Sequence, residues 1–473
     1  MAFSLPSRDV VTTINQDGSR NFLHPADVQG RFTEARRLVA VLILGAYILL
    51  PWIKINGYPA VFLDVAERRF HLFGLTFAPQ DLWLMFFFIT GLGFALFFVT
   101  ALLGRLWCGW ACPQTILLEH VYRRVERWIE GSAPQQRQLD SLSWAAPKKL
   151  LRRGAKVMVF AFLSAIIAHL FLAYFVSLPQ LYSWMRDDPA QHWSAFVFVA
   201  ALTGLLYFNF AWFREQFCLI LCPYGRIQSA LTDDDTLVIG YDPRRGEPRG
   251  KATDPKAGAC VNCLRCVQVC PTGIDIRQGF QIECIGCAGC IDACNEVMDK
   301  LGRPRGLVRY DSLNGLNGKR RRVLRPRMYL YTALLLIGAA AALLSFSTLR
   351  PVDASIVRMG GRPYFITVDT VRNQFNLRLI NKHDAPLSLH FGLEGAPTGL
   401  RLVGTSDTVV LPPDEEIVLP MVLQQSRGVY GGPAKVTLRV SSTDKSFTLP
   451  LRVEFLGPDT RLLREDTATN SAP

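Results

Sequence analysis

CVNCLRCVQVCPTGIDIRQGFQIECIGCAGCIDAC, residues 260–294, contains eight of the twelve cysteines in this 473-residue chain. They form two runs of identical spacing, Cys-x-x-Cys-x-x-Cys-x-x-x-Cys, which begin at Cys260 and Cys284. In bacterial two-cluster ferredoxins, closely spaced thiolates hold one 4Fe–4S cluster, and the fourth cysteine of each run ligates the other cluster. The spacing therefore predicts a compact domain that holds two 4Fe–4S clusters.

The exchange of fourth ligands leads to a specific assignment of the eight thiols. One cluster is assigned to Cys260, Cys263, Cys266 and Cys294, and the other to Cys284, Cys287, Cys290 and Cys270. A pair of zinc sites is the alternative, but structural zinc sites seldom use two nested four-cysteine runs. Disulfides are disfavoured if the domain lies in the cytoplasm, where thiols stay reduced.

The other four cysteines lie in two Cys-x-x-x-Cys-Pro motifs, LWCGWACPQ at 106–114 and FCLILCPYG at 217–225. Each follows a long apolar stretch. Because a residue before proline is biased away from helical conformation, we expect a helix to break at the second cysteine of each motif and another to begin at the proline. The two pairs, Cys108 with Cys112 and Cys218 with Cys222, are predicted to form one four-thiolate site beside the cluster domain.

Soft thiolates favour Cu(I), zinc or iron–sulfur clusters. Copper combines a preference for thiolates with a one-electron couple, and is the ion that we predict for the four thiols as substrate or bound ion. A structural or redox-active dithiol and another metal are the alternatives left open.

Five apolar runs predict membrane-spanning helices, since about 20 apolar residues cross a bilayer core. They are Leu38–Ile53, Leu82–Leu103, Val157–Leu178, Trp193–Phe213 and Met328–Phe346. His169 is the one histidine deep in a predicted span and is a candidate functional residue. His120, eight residues after Cys112, is interpreted as an ordinary interfacial residue.

Topology accounts for the net charge of +13 better than nucleic-acid binding does. The loop from Gly104 to Lys156 carries ten basic residues, whereas the loops on the opposite side carry Lys54, Arg68, Arg69 and Arg186. Basic residues accumulate in cytoplasmic loops. We therefore expect a multi-pass protein of a bacterial inner membrane, with its N-terminus and cluster domain in the cytoplasm and its C-terminal part in the periplasm.

The stretch DPRRGEPRGKATDPKAG, residues 242–258, is interpreted as a linker into the cluster domain. Beyond the fifth span, period-two alternation predicts strands in an all-β sandwich. The strands are expected at FNLRLI, LSLHFGL, EIVLPMVL, KVTLRVS and FTLPLRVEF.

Together these patterns predict a multi-domain membrane protein. Its parts are a cytoplasmic segment (1–37), a four-helix membrane domain with both Cys-Pro motifs (38–231), a ferredoxin-like dicluster domain (232–327), a fifth transmembrane helix (328–347) and a periplasmic β domain (348–473).

The chain resembles the FixG/CcoG (Rdx) family of membrane dicluster ferredoxins over nearly its whole length. The resemblance rests on CGWACPQT, FCLILCPYGRIQ, CVNCLRCVQVCPTGIDIR, ECIGCAGCIDACNEVM and the basic VQGRFTEARR segment. It implies that the β domain is immunoglobulin-like. It also implies reduction of Cu(II) to Cu(I) for the copper centre of a cb-type cytochrome c oxidase, at Cys108, Cys112, Cys218 and Cys222.

Three functions follow as hypotheses. The first is a cupric reductase with an unidentified electron donor, with oxidase assembly factors or copper chaperones as partners. The second is a quinol dehydrogenase-type ferredoxin that passes electrons to a partner, as in related membrane ferredoxins with the same Cys-Pro pairs. The third is a non-catalytic oxidase assembly scaffold. Membrane lipid is an expected partner, nucleic acid is not, and a homodimer that joins thiol pairs from two chains stays open.

Overall fold

The structure is a computed structural model. It describes Thr13, residues 20–66, 68–77, 82–347, 352–381, 386–404, 406, 408–412, 415–443 and 447–461. The chain divides into two compact units, Met1–Leu344 and Ser345–Pro473.

The first unit is mainly helical. Its helices, including the last one, which ends just beyond the unit, are α1 Arg31–Leu49, α2 Leu82–Leu103, α3 Leu106–Trp110, α4 Pro113–Ile116, α5 Arg123–Glu130, α6 Ala133–Ser141, α7 Pro147–Leu172, α8 Leu178–Trp184, α9 Trp193–Phe208, α10 Pro223–Leu231, α11 Pro243–Gly246, α12 Arg265–Gln268, α13 Gly289–Lys300, α14 Leu313–Leu316 and α15 Pro326–Ser347. Three segments are π-helical: Leu117–Tyr122, Asn209–Phe213 and Phe217–Leu221.

Strands occur in both units. Those of the first unit are β1 Lys54–Ile55, β2 Tyr58–Pro59, β3 Val61–Asp64, β4 Arg69–Leu72, β5 Leu75–Phe77, β6 Val238–Tyr241 and β7 Val308–Asp311. Those of the second are β8 Val352–Arg358, β9 Phe365–Ile366, β10 Thr370–Asn381, β11 Leu387–Glu394, β12 Arg401–Val403, β13 Thr408–Leu411, β14 Glu416–Ser426, β15 Ala434–Ser442 and β16 Thr448–Phe455.

Among the described residues, four helices are long and apolar enough to cross a membrane. They cover Phe86–Leu103, Pro147–Leu172, Trp193–Phe213 and Pro326–Leu344. At most about a fifth of each apolar window is buried inside the protein, as expected for helices whose sides face lipid. These four correspond to the last four predicted spans.

The predicted third span is misplaced in sequence. Val157–Leu178 was the expected range, but the helix starts ten residues earlier, at Pro147, and ends at Leu172. The basic residues before Val157 join the helix, since long cationic side chains are compatible with helix near a membrane edge. The last predicted residue, Leu178, instead begins the separate helix α8, where Pro179 occupies the first turn.

Helix α1 ends at Leu49 and so contains only the first part of the first predicted span, Leu38–Ile53, which stays a prediction. Its apolar part, Leu38–Leu49, is about 18 Å long at 1.5 Å per residue, against about 30 Å for a bilayer core. At its start, the Thr33 backbone N–H donates to Asp292 Oδ2 at 2.7 Å. At its end, the carbonyl of Tyr47 accepts a hydrogen bond of 2.6 Å from the Tyr174 hydroxyl, just beyond α7. The helix therefore connects the dicluster domain with the far end of α7.

The dicluster domain is built around α13 and the antiparallel pair β6–β7. Its core combines apolar side chains such as Ile239, Val267, Ile291 and Met298 with the cysteine runs. The interpretation of 242–258 as a linker is wrong, because this segment folds onto the domain. The Gly250 N–H donates to the Cys260 carbonyl, and the Ala259 N–H to the Arg245 carbonyl.

The second unit is a β-sandwich. One sheet has the strand order β12-β14-β10-β8, with β9 also on β10, and the other has the order β13-β11-β15-β16. All five predicted strands are confirmed, as β10, β11, β14, β15 and β16. Their alternate residues, among them Leu377, Leu389 and Val440, are fully buried in a single apolar core.

A buried network of ion pairs joins segments next to the start of α7 and the end of the Trp193–Phe213 helix. Arg214 Nη2 donates to Glu126 Oε2 at 2.6 Å, and Lys156 Nζ donates to Glu126 Oε1 at 3.2 Å. Arg123 binds Glu215 in the same way at 2.9 Å. Burial opposes ionisation of Glu126, but Arg214 and Lys156 outweigh it and hold the pKa of this carboxyl well below its usual value.

We predict that Glu126→Gln destabilises the protein by roughly 3 kcal/mol, because it leaves the buried guanidinium of Arg214 without its anion, whereas Lys156 keeps its ion pair with Glu130. Denaturant unfolding in detergent, followed by tryptophan fluorescence, measures the loss. Glu296→Gln is the matched control, since its exposed pair with Lys300 contributes at most about 1 kcal/mol. Equal stability of the two variants would contradict a stabilising role for the buried network.

Candidate metal centres

The backbone curls in the same way in both cysteine runs. The residues before and after the second cysteine of each run have positive φ: 55° at Asn262, 60° at Leu264, 70° at Gly286 and 62° at Ala288. Left-handed residues at these places turn the chain around a common volume and direct backbone N–H groups toward it. Helices α12 and α13 begin directly after these turns.

Each predicted ligand set lines its own cavity. A cavity of about 370 Å³ is lined by Cys260, Cys263, Cys266 and Cys294. A cavity of about 330 Å³ is lined by Cys270, Cys284, Cys287 and Cys290, and Cys266 reaches it as well. The fourth cysteine of each run thus lies with the first three of the other run. These residues fit two all-sulfur iron clusters, and the individual ligand assignments stay predictions supported by this placement.

Burial raises the pKa of five of these thiols, those of Cys266, Cys284, Cys287, Cys290 and Cys294, to about 12 at Cys284 and to about 11 at Cys294. Uptake of iron must therefore release protons, because the ligands are thiolates. Three arginines partly offset the negative charge: Arg105 near Cys284, Arg36 near Cys287 and Arg277 near Cys266.

The two Cys-Pro motifs break as predicted. Cys112 and Cys222 are both extended, with ψ of 124° and 113°, and Pro113 and Pro223 begin α4 and α10. The π-helices Leu117–Tyr122 and Phe217–Leu221 follow the first motif and contain part of the second. Such single-turn π segments are rare in helical proteins and frequently occur at functional sites.

Polar contacts bring the two motifs together. Asn209 Nδ2 donates to Gln114 Oε1 at 2.8 Å, and Gln114 Nε2 donates back to Asn209 Oδ1 at 3.3 Å. Arg105, ahead of the first motif, donates to the carbonyl of Gly225 in the second. The thiol of Cys108 donates to Gln228 Oε1 at 3.7 Å.

The four thiols of the motifs lie within electrostatic range of one another. Burial is the main cause that raises the pKa of Cys108, to about 12, and the neighbouring Cys112 and Cys222 raise it further. The same causes, with Cys108 among the neighbours, raise the pKa of Cys218.

Across the described ranges, no three His, Cys, Asp or Glu side chains converge closely enough to hold a single ion. For the eight cysteines at 260–294 this is the expected arrangement, since the four thiolates of a cubane bind four different irons. For the four thiols of the Cys-Pro motifs, it means that one ion would require the two pairs to move closer together.

The first Cys-Pro motif packs directly on the loop of the second predicted cluster. A Cβ on Gly109 would lie 2.7 Å from the Ile285 carbonyl oxygen and 2.8 Å from the Cys287 backbone nitrogen. On the same helix, Trp110 Nε1 donates to the Tyr310 hydroxyl, which donates to the Gly286 carbonyl at 2.6 Å. Only backbone therefore separates the Cys108 helix from the loop that carries Cys284 and Cys287.

Three arginines hold this contact and were not among the sequence-predicted residues. Arg36 Nε donates to the Gly109 carbonyl at 2.8 Å. Both terminal nitrogens of Arg123 donate to the carbonyl of Pro271, next to Cys270, at 3.3 Å. Arg105 lies near Cys108 and Cys284 alike. The signal in the sequence was that these arginines lie next to apolar segments. The accumulation of basic residues at cytoplasmic helix ends explains the same pattern, so it did not single them out as contact residues.

The two histidines singled out from the sequence have local roles. His169 Nδ1 is hydrogen-bonded to the Ala165 carbonyl of its own helix at 2.8 Å. Burial and the nearby Arg36 lower the pKa of His120 to about 4, so that its imidazole is neutral at physiological pH.

Three family descriptions match successive parts of the chain. Residues 84–131 match "4Fe-4S binding domain", and residues 213–313 match "4Fe-4S dicluster domain". Residues 342–458 match "IG-like fold at C-terminal of FixG, putative oxidoreductase".

Curated relatives are similar along most of their length. Protein RdxA of Cereibacter sphaeroides is 37% identical over 402 residues, which cover 81% of this chain and 84% of RdxA. Nitrogen fixation protein FixG of Rhizobium meliloti is 33% identical, with 87% of this chain and 88% of FixG covered. Protein RdxB of Cereibacter sphaeroides is 34% identical, with 85% and 88% covered.

We predict that Gly109→Ala separates α3 from the cluster loop, because the added methyl group meets backbone atoms that cannot rotate away. Overpacking of this kind costs about 1–3 kcal/mol. The variant should show lower stability and a lower iron content after anaerobic purification. Gly91→Ala in α2 is the control, since nothing lies within 4 Å of its added Cβ. Unchanged iron and stability in Gly109→Ala would show that the contact is loose.

Proposed function

This chain belongs to the FixG family and is a membrane iron–sulfur electron-transfer protein, and we propose that it reduces Cu(II) to Cu(I) at the four thiols of its Cys-Pro motifs. The observation that carries the proposal is the packing of Gly109 on Ile285 and Cys287. It puts Cys108 on a helix that touches the loop of the second cluster, so that a copper ion at the thiols is a near neighbour of a redox centre.

The chemistry of the thiols supports copper as the substrate. Thiolates are soft ligands that favour Cu(I) over Cu(II), so binding at this site makes the reduction more favourable. When bound, the two 4Fe–4S clusters supply single electrons, which is the number that each Cu(II) accepts. The protein supplies the thiolates, and the guanidinium of Arg105 favours their deprotonated form at Cys108 and Cys218.

The separation of the two thiol pairs suits an ion that is bound only briefly and then transferred to another protein. Because no three ligands converge around one point in the described part of the chain, we propose that copper first meets one pair and that the second pair closes on it. Because part of the binding free energy is used to bring the two pairs together, the net affinity for the ion is lower and the ion is released more easily. The recipient is proposed to be a copper chaperone or an assembly factor of a cb-type cytochrome c oxidase.

The proposed topology puts the N-terminus and the dicluster domain in the cytoplasm and the β domain in the periplasm of a bacterial inner membrane. Polar contacts between the end of α2 and the segment before α15 support one common side for the loop after α2 and the dicluster domain. Arg321 and Arg325, ahead of α15, donate to the carbonyls of Leu102 and Ala101 at 3.0 and 2.6 Å. The basic residues of this cluster belong on the cytoplasmic side by the positive-inside rule.

We predict that the variant with serine at Cys108, Cys112, Cys218 and Cys222 keeps its iron and acid-labile sulfide but loses copper reduction. Formation of Cu(I), trapped by a colorimetric chelator after reduction with dithionite, gives the rate above a protein-free control. Two half variants are matched controls, one with serine at the first pair and one at the second. If one ion uses both pairs, each half variant loses most of the activity. Undiminished reduction in the four-serine variant would exclude this site.

Sidedness can be tested with two exposed lysines. Lys435 in the β domain and Lys300 in the dicluster domain have side chains that are 88% and 70% exposed. In intact spheroplasts, a membrane-impermeant maleimide should label Lys435→Cys and leave Lys300→Cys unlabelled until the cells are lysed. The reverse pattern, or labelling of both before lysis, would overturn the topology.

A further inference from the structure

A partly open cavity lies next to the second cluster loop and shares Ile239 and Cys284 with the wall of the second ligand cavity. It is bounded by the end of α2, by α3, α10 and β6, and by the segment that leads to Cys284. Most of its wall is apolar, with side chains of Leu103, Leu106, Phe280 and Ile282. A mostly apolar wall with a small number of polar groups is typical of a site for a small organic molecule.

The polar groups of this cavity are few and converge. Arg105, Gln228, Tyr310 and Cys284 all line it. Gln228 is fully buried, and even if one N–H of its amide donates to the nearby Tyr224 hydroxyl, the other has no acceptor within the described residues. A buried N–H without an acceptor is costly, and an oxygen atom of a ligand would satisfy it.

The cavity lies at the boundary of the proposed membrane. Leu103 is the last residue of a helix that is apolar enough to span a bilayer. Ile282 at the wall is 51% exposed. An exposed apolar side chain at this level indicates that a ligand can enter from lipid.

We infer that this cavity binds the ring of a membrane quinol and that the quinol is the electron donor of the protein. An isoprenoid quinol has an apolar ring and tail that suit the wall and the lipid, and ring oxygens that can accept from Gln228 and Arg105. Cys284, a predicted ligand of the second cluster, is part of the wall, so that the ring is in contact with the ligand shell of a redox centre.

The inference deepens the copper-reductase proposal and rests on it for the acceptor. One quinol is oxidised to quinone and releases two electrons and two protons, which matches the reduction of two Cu(II) to two Cu(I). The protons leave to water at the cytoplasmic side. Two 4Fe–4S sites have the capacity for two electrons, one each, and so can match a two-electron donor to a one-electron acceptor.

Binding is tested first, with a readout that does not depend on turnover. Purified full-length protein is illuminated with a photoreactive azidoquinone, and the labelled peptides are identified by mass spectrometry. Label within residues 103–106, 228–239 or 280–286 that is displaced by excess ubiquinone analogue is the expected result. Label confined to other segments, or label that the analogue does not displace, would overturn the inference.

Electron donation is tested with a blocked cavity. Ile282→Trp fills the wall of the cavity, and Ile227→Trp puts the same bulk on an exposed position of α10 outside it. Without copper, reduction of the clusters by a quinol analogue, followed by bleaching of their visible absorbance, should be at least about tenfold slower in Ile282→Trp and unchanged in Ile227→Trp. Gln228→Leu, which loses one neutral hydrogen bond, should slow it by roughly two- to tenfold. Equal rates in all four proteins, or no bleaching of the wild type, would overturn the inference.

The two proposals fail separately. Dithionite reduces iron–sulfur proteins without a quinol site, so dithionite-driven copper reduction should be the same in Ile282→Trp and the wild type. If the wild type lacks this activity but quinol still bleaches its clusters, the quinol site stands and the copper proposal falls.

Discussion

The contact between α3 and the Ile285–Cys287 loop is the constraint on which the arrangement of this protein depends. There is no space for even a methyl group at Gly109, so the backbone of the thiol motif and that of the cluster loop touch. Arg36 holds one side of the contact through the Gly109 carbonyl, and Tyr310 holds the other through Gly286. Without this close approach the membrane thiols and the iron–sulfur domain would be two unrelated metal-binding modules in one chain.

Buried charge maintains that contact at the edge of the membrane. Arg123 is 2% exposed and binds Glu215, Glu119 and the carbonyl of Pro271. Burying ions is expensive unless each is paired, and paired ions in a medium of low dielectric constant tolerate little displacement. A network of this kind adds less stability than apolar packing would, but it determines the register between the helix ends and the cysteine loops.

The two kinds of sulfur site differ in how far they are assembled. In the dicluster domain, left-handed turns and short helices place four thiols around each cavity. The Cys-Pro pairs are held close together by Gln114, Asn209 and Arg105, and in the described residues they do not line a common cavity of this kind. Under the proposed function this difference is useful, because ordered ligands favour a cofactor that stays bound, whereas copper must also be released.

Local patterns in the sequence determined most of the elements. Ligand spacing within each cysteine run, the bias of residues before Pro113 and Pro223 away from helix, the alternation in β10, β11, β14, β15 and β16 and the length of four apolar runs all act over a few neighbouring residues. For that reason, they could be interpreted without a fold. The third span was predicted to end at Leu178, but α7 ends at Leu172. The prediction was wrong because hydropathy measures preference for lipid and contains no information on where a helix ends. Only the tertiary structure decided that Gly109 meets Cys287, that Arg36 and Arg123 hold the contact, and that an apolar cavity opens beside Cys284. These features depend on distant segments, with Arg36 and Gly109 73 residues apart and Arg123 and Pro271 148 apart. The relative position of such segments follows from packing of the whole unit, which no short pattern encodes.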